Sequence, residues 1–152
     1  MLWFSHKKTP IPIQVFNTAH KTLEVFHPLK SGHVKMYTCG PTVYDVAHLG
    51  NLRAAVFPDV VRRVFEYAGY RVTSVINITD FGHLASEDDQ SEDKMTKALK
   101  REGLPLTLQN MKLVAEKYTD FFLADLEALN VRPVHHPRAS DHIQGMIAYI
   151  QV

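Results

Sequence analysis

The feature that most constrains this sequence is a hydrophobic period that changes twice between Val34 and Ile78. Val34 to Cys39 is rich in β-branched and aromatic residues, as a strand requires, and Gly40-Pro41 ends it. A polar loop, Thr42 to Ala47, leads to His48-Leu49-Gly50-Asn51. From Leu52 to Tyr67 the apolar residues Leu52, Val56, Val60, Val64 and Tyr67 recur at three- and four-residue steps. Arg53, Asp59, Arg62, Arg63 and Glu66 lie mostly opposite, so the stretch reads as an amphipathic helix. Pro58 lacks an N–H and crowds the preceding turn, which predicts a kink or a second helix start there. Gly69 is placed to close the helix, and Val72 to Ile78 reads as a second buried strand. Strand, long helix and strand at this spacing form a βαβ unit. Its strands pair in parallel and its crossover is right-handed.

The flanks are read in the same way. Ile13–Phe16 and Thr22–Phe26 are short apolar runs on either side of Asn17 to Lys21, a hairpin pattern, and Ser31-Gly32-His33 is a turn. Thr79 to Asp93 is polar and acidic, carrying Glu87, Asp88, Asp89, Glu92 and Asp93. A solvated loop explains that charge run better than a metal site does. Two helices are predicted next, Glu92 to Glu102 and Thr107 to Leu129. The second should bury Met111, Val114, Tyr118, Phe121, Phe122, Leu126 and Leu129. Arg132 to Pro137 reads as an extended linker. Ser140 reads as the cap of a last helix carrying Ile143, Met146, Ile147 and Ile150, which stops at Val152 as though cut.

Composition narrows the functional classes. With a formal net charge of +1 the chain has no global basic field, so any RNA contact has to come from a local patch or from outside these residues. Met1 to Pro10 lacks the pattern of a secretory signal, and no apolar run is long enough for a membrane span. The single cysteine, Cys39, excludes an internal disulfide and suits a cytoplasmic protein. A lone cysteine is most often a buried small hydrophobe, and its neighbours have to argue for anything more.

Those neighbours do argue. In an open α/β sheet, ligands bind in the crevice beyond the carboxyl ends of the strands. The helix start after Ala47 offers free N–H groups and the positive end of a dipole, a natural phosphate site. His48 and Asn51 stand three apart on one face of that start, and both can donate hydrogen bonds. Gly50 between them would let a flat base lie against the backbone. Taken alone, His48-Leu49-Gly50-Asn51 is equally a turn or a helix cap; the strand before it and the helix after it favour a site.

The motifs also resemble a known family. His48-Leu49-Gly50-Asn51 resembles the His-Ile-Gly-His nucleotide-binding signature of class I aminoacyl-tRNA synthetases, with Asn51 in place of the second histidine. Cys39-Gly40-Pro41-Thr42-Val43-Tyr44-Asp45 resembles the cysteine-specific branch, the cysteinyl-tRNA synthetases. Asn77-Ile78-Thr79-Asp80, Leu129-Asn130-Val131 and Pro137 to His142 are similar to later stretches of that family. The resemblance implies an α/β fold: the amino-terminal half of a Rossmann-like nucleotide-binding domain over residues 1–91, then a helical segment over 92–152 leading into the family's insertion. It implies activation of cysteine by ATP, with Mg2+, and transfer to tRNA(Cys) by a monomeric cytoplasmic enzyme. His48 and Asn51 would be catalytic, and His48, Gly50 and Asn51 would bind ATP. Gly40, Thr42 and Thr79 would face substrate, and Cys39 would be one ligand of a zinc ion holding the substrate sulfur. The other zinc ligands and the Lys-Met-Ser-Lys-Ser loop of the class are not matched here. Asp93-Lys94-Met95-Thr96-Lys97 looks like that loop only superficially and reads as a helix start. These residues alone are therefore expected to be inactive and to hold no tight zinc. Two alternatives stand beside this reading: an ATP-dependent cysteine:amino-sugar ligase of the same superfamily, and a non-enzymatic fragment.

Overall fold

The computed structural model describes residues 11–80 and 94–151. The acidic run Glu87 to Asp93, the expected boundary at 91/92 and the start of the helix predicted from Glu92 lie outside the described residues. In chain order the elements are strands β1 (Gln14–Asn17), β2 (Thr22–Val25) and β3 (His33–Thr38), helix α1 (Leu49–Tyr67), strand β4 (Arg71–Ile76), helices α2 (Lys94–Arg101) and α3 (Leu108–Ala128), a 3-10 turn (Ala139–His142) and helix α4 (Ile143–Ile150). Among the described residues, no helix is long and apolar enough to cross a membrane.

β3 and β4 are parallel neighbours in the register His33↔Arg71 to Thr38↔Ile76, with α1 connecting them. The βαβ unit read from the periodicity is therefore present. β1 and β2 form the expected antiparallel hairpin, a separate two-stranded sheet. The Phe26 ring at its base stacks edge-on against Phe65 of α1, centroids 4.9 Å apart, and Tyr70 joins the same cluster.

α1 begins three residues earlier than expected and runs unbroken through Pro58, so there is no second start. Its end is a glycine cap. Gly69 has φ +94°, its N–H donates to the Glu66 carbonyl, and the Tyr70 N–H reaches back to Phe65. The buried face is rotated from the expected one, although Leu52 and Val56 still pack partly buried against the core. Ala55, Pro58, Asp59 and Phe65 are buried, whereas Val60, Val64 and Tyr67 are exposed. α1 has two apolar-rich faces, and its period cannot say which one meets the sheet. Asp59 tolerates burial because Arg63 donates to it at 2.7 Å and the Arg132 N–H at 3.2 Å. On α3, Val114, Tyr118, Phe122 and Leu126 are buried as predicted, with Met111 packed partly against them. Phe121 and Leu129 are exposed instead, because the face turns toward Ala115 and Thr119.

The segment expected to be a linker is a third rung of the sheet. The Ile76 N–H donates to the His135 carbonyl (3.1 Å) and the Ile78 N–H to the Pro137 carbonyl (2.8 Å). The Ala139 N–H donates back to Ile78 (2.9 Å). This is a parallel ladder on the far edge of β4, and it lacks one bond. Residue 137 should donate to the Ile76 carbonyl, but Pro137 has no N–H. The His136 side chain supplies the missing donor, its Nδ1 lying 2.9 Å from the Ile76 oxygen. Ser140 does not cap α4. Its N–H and hydroxyl both donate to the Asp80 carboxylate, at 2.9 and 2.6 Å, and α4 carries its apolar residues with none of them buried.

Burial lowers the His136 pKa below 6.5, opposed by the bond to Ile76 and reinforced by the neighbouring His135. Above about pH 6.5 the ring is neutral in folded and unfolded chains alike. Below it the unfolded chain takes up a proton that the folded chain resists, so folding stability falls with acidification. His136→Gln should flatten that decline between pH 6.5 and 5.5 relative to the parent chain, read from urea midpoints across the range.

Candidate active site

Cys39 and Asn77 are the first residues beyond the paired ends of β3 and β4, so the two strand ends set the site's floor. The chains approach closely here. A Cβ on Gly40 would lie 1.6 Å from the Asn77 carbonyl oxygen, so only glycine fits. The Asn77 side chain ties the two ends together. Its oxygen accepts from the Gly40 N–H at 2.9 Å and its amide donates to the Thr79 hydroxyl at 3.1 Å. Beyond that point the Thr79 N–H donates to Pro41 (3.0 Å) and the Val43 N–H to Thr79 (3.1 Å), with Thr42 bridged in parallel to Thr79. Gly40, Thr42 and Thr79 are thus brought side by side. The Thr79 hydroxyl, having accepted from Asn77, keeps its own proton to donate.

Cys39 is exposed, not a buried hydrophobe. It lies on the rim of a small cavity with Gly40, Asn51, Ala55, Ile76 and Phe122. Its Sγ lies 3.6 Å from the Gly40 carbonyl oxygen. Among the described residues no group of three or more His, Cys, Asp or Glu side chains is gathered to hold a metal. Cys39 by itself does not make a zinc site, which takes three or four protein ligands.

His48 and Asn51 open α1 as a capping box. His48 is the N-cap, and its Nδ1 accepts from the Gly50 N–H at 3.0 Å. The Asn51 side-chain oxygen accepts from the His48 N–H at 3.2 Å. Both side chains spend their acceptors on backbone. A neutral ring that accepts at Nδ1 carries its proton on Nε2, and Asn51 keeps its NH2. What remains is a pair of donors at the positive end of a 19-residue helix. A Cβ on Gly50 would sit 2.8 Å from the His48 ring, so the imidazole accounts for the glycine before any base is considered. Asn51 belongs both to this cap and to the cavity beside Cys39.

A model of the class I tRNA synthetase (C) catalytic domain matches residues 25–152. The chain belongs to that family. A Burkholderia lata protein named cysteine–tRNA ligase 1 is 46% identical over 142 residues, covering 93% of this chain and 29% of the relative. Proteins named cysteine–tRNA ligase in Zymomonas mobilis and Pyrococcus furiosus are 45% and 42% identical, with 27% and 26% of their lengths covered. The chain therefore spans less than a third of these curated relatives. A solved Campylobacter jejuni structure assigned as an arginyl-tRNA synthetase is similar in fold, with a TM-score of 0.50 at 15% identity over 77% of this chain and 33% of that one. The fold of this synthetase chain is thus α/β and Rossmann-like.

Two contacts at or beside the candidate site escaped the sequence reading. Asn77 opens the motif in which the sequence points to Thr79 alone as facing substrate. A polar side chain directly after a buried strand was the available signal. Asp80 joins that motif to Arg138-Ala139-Ser140 through its bonds to Ser140, with Arg138 3.9 Å away. Nothing in the spacing announced that pairing.

Gly40→Ala should be poorly tolerated, because the new methyl meets backbone and not a movable side chain. Overpacking of this kind costs about 1–3 kcal/mol, and a backbone obstacle puts this case at the upper end. A lowered denaturation midpoint together with faster amide exchange at Asn77 is the expected result. An unchanged midpoint would show that the strand ends separate freely.

Proposed function

We propose that this chain supplies the cysteine- and ATP-binding half of the catalytic site of a cysteine–tRNA ligase. The observation that carries the reading is the capping box, which leaves the His48 Nε2–H and the Asn51 NH2 as paired donors at a helix start beside Cys39. Family membership and the names of the relatives support the same reading.

In this reading the ATP phosphates lie across the start of α1, held by the outward donors of His48 and Asn51 and favoured by the positive end of the helix dipole. Cysteine lies at the neighbouring strand ends, near Cys39, Gly40, Thr42 and Thr79, with its carboxylate turned toward the α-phosphate. A carboxylate oxygen attacks the α-phosphorus. The new O–P bond forms as the bond to pyrophosphate breaks, giving cysteinyl-adenylate. The terminal hydroxyl of tRNA(Cys) then attacks the acyl carbon and AMP leaves. This chain's residues orient the reactants and meet charge that develops on phosphate oxygen. Among the described residues Cys39 would be a ligand of zinc, whose other ligands would come from the rest of the longer protein, and the ion would hold the sulfur of the substrate. Magnesium would accompany ATP as substrate, and the protein would act as a cytoplasmic monomer.

His48→Gly separates the structural duty of this residue from its chemical one, since glycine is well tolerated at an N-cap and has no side chain to donate. In the complete protein it should leave the thermal midpoint in place. Cysteine-dependent ATP–pyrophosphate exchange should slow about 10²–10³-fold, the usual consequence of losing one donor to developing charge. Exchange at the parent rate would remove His48 from the chemistry.

A further inference from the structure

The loop from Pro41 to Ala47 is fastened at two places by different means. Its first half is stitched to the end of β4 through Thr79, and Val43 is buried in the core. Its second half has no such ladder. There the grip comes from Arg101, the last residue of α2. One guanidinium nitrogen donates to the Asp45 carboxylate at 2.6 Å, and the other to the Tyr44 carbonyl at 3.0 Å and the Tyr118 hydroxyl at 2.8 Å. Tyr118 is buried on α3, and its hydroxyl donates in turn to Glu102 at 2.7 Å. Lys117 holds the other oxygen of Glu102 at 2.6 Å. At the opposite end of α2, Lys94 lies over the Tyr44 ring, 5.1 Å from its centroid. Asp45 in turn accepts from the Val46 N–H at 2.8 Å, two residues before the His48 cap.

We propose that Arg101 is a positioning residue, which fixes the Tyr44–Ala47 half of the loop and through it the donors of His48 and Asn51. The proposal rests on the functional reading above for its catalytic consequence, though not for the grip itself. Arg101 and Asp45 are both nearly half exposed, so as an ion pair they contribute little to global stability. What Arg101 adds is geometry: one planar group holds a carboxylate, a carbonyl and a buried hydroxyl at once. Because the Thr79 end is fastened independently, losing Arg101 should disturb the nucleotide side of the site and spare the cysteine side.

The test uses the complete protein with Arg101→Met, Asp45→Asn and the double variant. Hydrogen exchange of a peptide covering residues 42–51 should accelerate at least tenfold in Arg101→Met. Peptides from α3 and the thermal midpoint should stay unchanged. In ATP–pyrophosphate exchange, kcat/KM for ATP should fall about tenfold with the KM for cysteine unmoved. The double variant should be no worse than Arg101→Met alone, since both groups belong to one contact. If Arg101→Met does not fold, Asp45→Asn keeps the α2–α3 contacts and decides the question by the same two readouts. Parent-rate exchange in the loop, or equal losses for ATP and cysteine, would overturn the proposal. A parent protein without cysteine-dependent exchange would overturn the functional reading, and the hydrogen-exchange comparison would still decide the grip.

Discussion

Asn77 carries the contact on which the site depends. Its side chain spans from the Gly40 N–H to the Thr79 hydroxyl, and its carbonyl lies where any Cβ on Gly40 would have to be. The close approach holds the end of β3 in register with the end of β4. Everything beyond inherits that register, including the bonds that join Thr79 to the Pro41 carbonyl and the Val43 N–H, and the placing of Cys39 on the cavity rim. β4 lends the contact rigidity by being paired on both edges, to β3 on one side and to residues 135–139 on the other.

The parts legible in the sequence were those with a strong local period or a punctuating residue. The two strands, the long helix between them, the Gly69 cap and the hairpin follow from local pattern, and so does the suspicion that residues 39–51 matter. Other parts were hidden because they depend on which surfaces meet. The buried side of α1 was misread because Asp59, polar in the sequence, is neutralised by Arg63 and a backbone N–H brought from residue 132. The third ladder was hidden by Pro133 and Pro137, which normally argue against a strand. The compensation, a histidine ring standing in for a proline's missing N–H, needs both partners in view. Arg101 was invisible for the same reason, its partners lying 56 and 57 positions back along the chain.

His48-Leu49-Gly50-Asn51 shows how a bland and a sharp reading can both hold. The tetrapeptide is a helix cap, as a structural reading has it. The cap is also what prepares the site, because each side chain commits its acceptor to the backbone and turns its donor outward. Gly50 takes part in the same way, leaving room for the ring that caps it.

That arrangement has a consequence for how an anion would be drawn in. A ring that accepts at Nδ1 cannot also be an imidazolium, so His48 cannot hold its cap and a positive charge together. Asn51 has no charge to give. The pull at the start of α1 therefore comes from oriented dipoles, strong at contact and weak beyond the first turn. Such a site discriminates by fit at close range and is little affected by salt. It does not gather ligands from a distance as a cationic funnel does, and long-range attraction has to originate elsewhere.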